Sequence, residues 1–323
     1  TFVQIQQPFS LGGEGWAARR EATATLEGAE AWARRVDVVV AANARLAWLE
    51  CASAAHRRAL AAEALTLAST FRVAVEARAT VGELSDLDVA LARSREALAV
   101  AEAAGAHQAY TEALVHLSTF HPDAPTEGVE GDPLAAVPAA TQTTAVRADV
   151  VAAEARLRQA QAGLARARAA AAPEMAIGLQ FQSDGGAVDL GPMFTLGLPL
   201  WQRNQAAIAS AVRDVDVAEA ELSLVRSQAA SEGALRTAAA RETDAARARV
   251  DGSDDAILAG MKAIEAAVLQ GELDVRDAVL LQRELLDGRF AALDAERTAA
   301  TAALAAMVAH DDQALLTTEG GTR

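Results

Sequence analysis

Aromatic residues are scarce in this sequence: 4% of its 323 residues are Phe, Tyr or Trp, although 52% are hydrophobic. A compact globular core normally takes much of its volume from aromatic side chains. Much of the apolar share here is alanine, mixed with Glu, Arg, Leu and Gln. That composition is typical of long, thin helices packed side by side.

Cysteine and positive charge are also in short supply. The single cysteine, Cys51, excludes a disulfide within this sequence and a zinc site built from several cysteines. Its place in a predicted helix favours a small buried side chain. Lys and Arg number 29 against 44 Asp and Glu, which gives a net charge of −15. This balance argues against nucleic-acid and anionic-lipid partners, since both need cationic patches.

Proline occupies only eight positions, and these predict where helices cannot run. Residues 9–121, 139–172 and 200–323 contain none and have a helical composition. We expect residues 16–80 to form one nearly continuous helix, on the order of 100 Å long. Four prolines fall within residues 121–146, which predicts a connector. No run of 18 uninterrupted apolar residues occurs, so no transmembrane helix is predicted.

Two segments alternate apolar residues with small or polar ones, as strands do. They cover residues 174–183 and 189–199 and flank a Ser-Asp-Gly-Gly turn, which predicts a β-hairpin. Residues 2–9 resemble half of it. The hairpin could pack on a helical core, or its apolar face could belong to a membrane β-barrel. Half of the aromatic residues lie in residues 1–16 and 174–201, as in the aromatic rims of a barrel.

The chain also resembles itself at a fixed offset. The residues that recur 189 positions later are Gly82, Glu83, Leu84 and Asp88, which correspond to Gly271, Glu272, Leu273 and Asp277. We therefore predict a unit of strand, long helix, Gly-Glu-Leu turn and returning helix that is present twice. A duplicated helical hairpin suits the wall of a tube better than an enzyme.

Patterns of catalytic or ligating residues are missing from the sequence. It has no phosphate-binding loop, no Gly-x-Ser-x-Gly motif and no paired carboxylates in a glycine-bounded segment. The histidines lack the close spacing of metal ligands and are His56, His107, His116, His121 and His310. We predict no enzyme activity, no cofactor and no metal site.

Several motifs, taken in order, resemble the TolC-like outer-membrane efflux family. Residues 147–157 (RADVVAAEARL) are similar to the opening of its second repeat, with alanine where proline is usual. Residues 197–201 (GLPLW) look like its return from strand to helix, and Gly271 followed by Asp277 resembles its second turn. Residues 7–13 (QPFSLGG) are similar to its heavy-metal branch. The resemblance covers nearly the whole chain.

The resemblance implies a mainly α fold with a minor β part, in which very long antiparallel helical hairpins form an α-barrel below membrane β-barrel strands. The implied first structural repeat covers residues 1–120, is N-terminally incomplete, and has a strand at 2–9 and a hairpin tip near 82. A Pro-rich equatorial connector follows at 121–146. The implied second repeat covers 147–323 and consists of helix 147–172, strands 174–183 and 189–199, and a helical hairpin at 201–310 with its tip near 271. The family has four strands per protomer, and this sequence has three.

The family resemblance also implies a function. It predicts a homotrimer that forms a passive exit duct in the outer membrane of a Gram-negative-type bacterium. The duct would work with a periplasmic adaptor and an inner-membrane transporter, and the heavy-metal branch implies divalent cations as cargo. Two alternatives remain: a soluble coiled-coil interaction protein with an incidental hairpin, and a periplasmic adaptor, which normally has one helical hairpin flanked by β-rich segments.

Two sets of residues are candidate sites under this resemblance. The adaptor-docking tips would consist of Gly82, Glu83, Leu84, Gly271, Glu272 and Leu273. Each leucine is expected to be exposed beside its tight turn, although a helical turn with no partner would have the same sequence.

The second set is a pair of carboxylates, Asp88 and Asp277, which match the family position lining the closed pore mouth. A plainer role is helix capping, since each follows a capping residue, Ser85 or Asp274, by three positions. A further acidic position of the family is Leu280 in this sequence.

Overall fold

The computed structural model describes residues 2–10, 12–121, 137, 146–184, 187–198, 201, 203–250 and 254–316. The helices and strands in these residues are β1 (Phe2–Ser10), α1 (Glu14–Thr80), α2 (Asp86–Phe120), α3 (Ala148–Ala169), β2 (Glu174–Asp184), β3 (Ala187–Gly197), α4 (Gln205–Val250), α5 (Asp254–Gln270) and α6 (Val275–Ala309). The chain is mainly α with a minor β part, as the sequence predicted.

Helix α1 confirms the predicted long helix, because its 67 residues run without interruption from Glu14 to Thr80. Helix α3 ends at Ala169, three residues before the predicted end. The residue preceding a proline is disfavoured in the helical region, and Ala172 precedes Pro173. The predicted connector at 121–146 lies almost entirely outside the described residues, as do Gly185 and Gly186 of the predicted hairpin turn.

The three strands form one antiparallel sheet in the order β1-β2-β3. In β1 and β2, Phe2 pairs with Gln182 and Ser10 with Glu174. Strand β3 pairs along the whole of β2, from Ala187 opposite Asp184 to Gly197 opposite Glu174. All three predicted strands are present, and their bounds differ from the predicted ones by two residues or fewer.

The chain divides into two compact units, each made of two segments. The first contains Thr1–Asp37 and Thr144–Glu232 and includes the sheet and α3. The second contains Val38–Thr143 and Gly233–Arg323 and includes both predicted helical turns. Helices α1 and α4 each contribute residues to both units.

Alanine fills much of the helical core, as the composition predicts. Within the second unit, one buried cluster, called the turn cluster here, lies beside the two turns and contains Phe71, Val75, Ala92, Val268, Val275 and Ala278. A second cluster includes Leu60, Ala61, Ala64, Ala106 and Leu286. Small side chains let helix axes approach closely, so little aromatic volume is needed.

By length and composition, α1 could cross a membrane, because one 18-residue window within it has a mean hydropathy of 1.2. The sequence analysis predicted no such helix because it required an uninterrupted apolar run. An alanine-rich core helix passes the same test. This feature of α1 is therefore weak evidence for a membrane span.

Candidate functional site

The first predicted turn is a tight helix end followed by a capped helix start. Helix α1 ends at Thr80, and the backbone reverses at Gly82, whose φ is +80°. The Gly82 N–H donates to the Ala79 carbonyl (3.0 Å), and the Glu83 N–H donates to the Arg78 carbonyl (3.1 Å). These two bonds form a Schellman motif, which satisfies carbonyls left free at a helix end. The positive φ explains why glycine occurs at position 82.

The second predicted turn has the same backbone geometry. Helix α5 ends at Gln270, and Gly271 has a φ of +75°. The Gly271 N–H donates to the Val268 carbonyl (3.1 Å), and the Glu272 N–H donates to the Ala267 carbonyl (2.9 Å). The recurring Gly-Glu-Leu sequence therefore corresponds to a recurring local structure.

Arg78 connects the two turns. Its Nε donates to a carboxylate oxygen of Glu83 in the first turn (2.9 Å), and its Nη1 donates to the main-chain carbonyl of Val268 before the second turn (2.5 Å). A Cβ placed on Gly271 would lie 3.6 Å from Arg78 Nη2, so the guanidinium lies close to both glycine turns. The internal repeat did not indicate that Arg78 is important, because the corresponding position in the second repeat, 267, is alanine.

The leucines of the turns are not the exposed side chains that we expected. That expectation is wrong, because Leu84 and Leu273 are partly buried and pack against the turn cluster. The helix ends leave a space that an apolar side chain fills, so the leucines seal the end of the core. Val81 and Leu87 are the exposed apolar residues beside the first turn.

Asp88 and Asp277 each lie in the first turn of the helix that follows a glycine turn. One Asp88 carboxylate oxygen accepts from the Ser85 N–H (2.9 Å) and from Ser85 Oγ (2.7 Å), and Ser85 Oγ accepts from the Asp88 N–H (3.4 Å). This capping box confirms the capping role predicted for the first turn. At the second turn, Asp274 caps α6 by accepting from the Arg276 N–H (3.4 Å), and Asp277 is exposed.

A charged cluster also joins α1 to α2 near the first turn. Glu76 accepts from Arg93 Nε across the two helices (2.8 Å) and from Arg72 Nη1 one helical turn away (2.5 Å). The hydrogen bond from Arg93, helped by the charges of both arginines, lowers the pKa of Glu76 despite some desolvation. The spacing of four residues predicts the ion pair between Arg72 and Glu76 on one helix. No sequence pattern predicts the contact between Glu76 and Arg93 on α2.

One face of the sheet is almost wholly apolar and exposed. The register places Ile5, Leu179 and Pro192 side by side. The exposed fractions of Ile5 and Leu179 are 74% and 57%. The other rows on this face are Val3–Phe181–Leu190, Gln7–Ile177–Phe194 and Phe9–Met175–Leu196. Rows on the opposite face are mostly polar or small, such as Gln4–Gln180–Gly191.

In the first unit, a partly buried arginine joins the start of α3 to α4. Arg147 Nε and Nη2 donate to the two carboxylate oxygens of Asp149 (2.8 and 2.5 Å), and Nη1 donates to Glu232 (2.8 Å). Burial of the Asp149 carboxylate disfavours ionisation, but the hydrogen bonds and charge of Arg147 outweigh it. The pKa of Asp149 is therefore below its ordinary value of 3.8. This geometry gives the Arg-x-Asp motif at 147–149 a structural role.

The histidines and the cysteine have ordinary structural contacts. His116 Nδ1 lies 3.0 Å from a Glu50 carboxylate oxygen, and His310 Nε2 lies 2.9 Å from Thr237 Oγ1. Cys51 is fully buried, as predicted, and burial raises the pKa of its thiol. Within the described ranges, no group of three or more His, Cys, Asp or Glu side chains could hold a metal ion.

Comparison with solved structures decides the fold. CusC superposes with a TM-score of 0.83 at 16% identity, over 95% of this chain and 76% of that one, and is described in terms of transmembrane channel formation. The open-state MtrE outer-membrane channel of Neisseria gonorrhoeae superposes with a TM-score of 0.80 at 18% identity, over 97% of this chain and 79% of that one. The chain has the fold of the TolC-like outer-membrane channels. The fold that the family resemblance implies is therefore confirmed.

The chain also has a sequence relative that is named as a metal-resistance protein. The nickel-cobalt-cadmium resistance protein NccC of Alcaligenes xylosoxydans xylosoxydans is 31% identical over 233 residues, 70% of this chain. That alignment covers 53% of NccC, so this chain spans about half the length of this curated relative. No protein-family model matches the chain. The CmeC channel of Campylobacter jejuni has a TM-score of 0.80 at 14% identity, over 95% of this chain and 69% of that one.

Proposed function

We propose that this chain is the channel component of a tripartite efflux pump and lies in an outer membrane with its helices in the periplasm. The observation that carries this proposal is the exposed apolar sheet face in a chain with a TolC-like helical fold. Contact with lipid would remove that face from water, which is favourable. The strands have 9, 11 and 11 residues, the length needed to cross the hydrocarbon core.

Three copies would complete the duct. In the described sheet, β1 and β3 are edge strands. Unpaired backbone groups are very costly in lipid, so each edge needs a neighbouring strand, which further copies in a closed barrel would supply. The helical hairpins of the two proposed repeats, 1–120 and 147–323, would form the α-barrel, with 121–146 as the equatorial connector.

The two turns would dock a periplasmic adaptor, and the transporter in the inner membrane would supply the energy. Support comes from the matching backbone geometry of the turns and from the exposed Glu83 and Glu272 side chains. Asp88 and Asp277 would line the pore mouth, where carboxylates of three copies attract cations. Since Asp88 is already held by Ser85, the exposed Asp277 is the better candidate to meet a passing ion.

Divalent metal cations are the proposed cargo, and the duct would carry out no chemical step. This part of the proposal is supported by the similarity to NccC, whose name gives nickel, cobalt and cadmium. The acidic net charge of −15 also fits the passage of cations better than that of anions.

An export assay in a deletion strain tests the docking and cargo proposals together. The chain, expressed from its natural gene, should restore growth on nickel, cobalt or cadmium salts, and Glu272→Lys in the second turn should reduce that growth. Glu102→Lys, an equally exposed site within α2, is the matched control and should have little effect. Restoration of dye efflux alone would contradict the metal assignment.

Fractionation distinguishes this channel from a soluble coiled-coil protein. A coiled-coil protein would leave the apolar sheet face in water, which is unfavourable for a patch of this size. We expect the chain to remain with membranes after a salt wash and to require detergent for extraction. Recovery of a monomer in the aqueous fraction would overturn the proposal.

A further inference from the structure

Three helix ends and the ends of the strands meet at one place in the first unit. Asn204, just before α4, donates from Nδ2 to the Ala167 carbonyl near the end of α3 (2.9 Å). A Cβ on Gly12, just before α1, would lie 2.2 Å from the Ala169 carbonyl oxygen, so these backbones are in close contact. The paired strand residues Ser10 and Glu174 connect directly to this junction.

The junction is rich in arginine although the chain is strongly acidic. Residues 12–21, 164–174 and 201–205 together contain five arginines and three glutamates. Two of the glutamates, Glu14 and Glu21, are both contacted by Arg166 (3.4 Å each). The other four arginines are exposed, and in the part of the chain described none has a carboxylate partner; they are Arg19, Arg20, Arg168 and Arg203, called the arginine collar here.

Two exposed tryptophans accompany the arginine collar. Trp16 is 72% exposed and Trp201 is 90% exposed, which is unusual for such large apolar side chains. The guanidinium of Arg19 lies 5.8 Å from the centroid of the Trp16 ring, within reach of a cation–π interaction. Tryptophan and arginine together are typical of the boundary between hydrocarbon and water, where the ring sits among headgroups and the guanidinium reaches phosphate.

We propose that the arginine collar binds the phosphates of anionic phospholipid headgroups, in the leaflet on the helical side of the sheet. This rests on the proposed membrane location of the sheet. The negative net charge of the whole chain argued against an anionic-lipid partner. A membrane surface, however, interacts with the local charge of the protein surface that faces it, and the collar is locally positive. Each arginine near an anionic membrane surface strengthens binding about fivefold. The planar guanidinium also matches phosphate geometry.

Vesicle partitioning of the full chain tests the collar. Wild type and Arg19→Gln/Arg20→Gln are mixed with phosphatidylcholine vesicles, with or without phosphatidylglycerol, and the bound fraction is measured by flotation. The matched control, Arg236→Gln/Arg241→Gln, removes the same charge at two exposed sites on α4. We expect wild type and control to prefer phosphatidylglycerol vesicles by at least tenfold, and we expect added salt to weaken the preference. The collar variant should lose most of it.

The outcomes separate this inference from the proposed function. Equal binding of wild type to both vesicle types would overturn the collar and leave the membrane location standing. Equal loss in the collar and control variants would also overturn it, because net charge alone would then explain the preference. Failure of every protein to bind either vesicle type would overturn the membrane location itself and the collar with it.

Discussion

At the residue scale, Arg78 is the clearest link between the two glycine turns. Its side chain is about one-quarter exposed, so its bonds to Glu83 and to the Val268 carbonyl are partly shielded from water. A hydrogen bond from a charged donor contributes about 1.5–3 kcal/mol in such an environment. Arg78 therefore adds a polar link between the two turns to the apolar packing of the turn cluster.

We expect Arg78→Gln to lower the free energy of local opening around residues 264–273 by about 1–2 kcal/mol, because the Val268 carbonyl loses a charged donor. Hydrogen exchange of the amides in that segment measures the change. Glu83→Gln is the control, since it removes only a largely exposed ion pair and should cost less than about 1 kcal/mol. Equal effects of the two changes would show that the Val268 contact contributes little.

The residue scale is also where sequence reasoning was least complete. The recurring glycines could be predicted because a reversal between helices needs a φ that glycine tolerates. The capping role of Asp88 followed from its spacing to Ser85. The link that Arg78 makes between the turns could not be predicted. Its acceptor is the main-chain carbonyl of Val268, almost two hundred residues away, and a main-chain acceptor does not depend on the residue type. The inward packing of Leu84 depended equally on tertiary structure.

At the element scale, the connection between α3 and α4 depends on ionisation. The Asp149 carboxylate is partly buried beside Arg147, and its pKa is lower in the folded chain than in the unfolded one. Between those two pKa values the unfolded chain binds more protons, so the carboxylate stabilises the fold above its ordinary pKa. That contribution disappears as the pH falls through the lowered value.

We expect Asp149→Asn to reduce stability by about 1–3 kcal/mol at neutral pH and to remove part of the loss of stability expected below pH 3.8. Thermal melting followed by circular dichroism across this range measures both effects. Asp216→Asn is the control, as an exposed carboxylate on α4. An unchanged pH dependence in Asp149→Asn would contradict the assignment.

The elements themselves were largely predictable. Proline positions and alanine-rich composition located the long helices, and period-two alternation located the three strands. The helix ends were harder to predict: α4 ends at Val250 and α5 begins at Asp254, and the sequence has no proline near either position. Composition alone could not indicate that Arg147 contacts Glu232 on α4.

At the scale of the whole molecule, the two faces of the sheet differ in polarity. Leu179 and Gln180 are neighbours in β2, but their side chains lie on opposite faces because successive residues of a strand alternate. Their cross-strand neighbours differ accordingly: Ile5 and Pro192 flank Leu179, whereas Gln4 and Gly191 flank Gln180. In the proposed barrel, the two positions would therefore report separately on lipid and on the barrel interior.

We expect Leu179→Arg to reduce insertion of the full chain into phosphatidylcholine vesicles, because an arginine facing lipid near the midplane costs about 2–4 kcal/mol. Gln180→Arg, one residue away, should insert almost normally. Resistance of the sheet to added protease measures insertion. Similar losses in both variants would indicate that the sheet does not present one face to lipid.

The contact between Arg78 and residue 268 has an evolutionary consequence. Every amino acid offers the same main-chain oxygen, so position 268 can change to another apolar side chain that fits the turn cluster without losing the bond. Position 78 has no such freedom, because only a long cationic side chain with several donors reaches both that oxygen and Glu83. Among descendants of this gene, residue 78 should therefore vary far less than the residue whose backbone it holds.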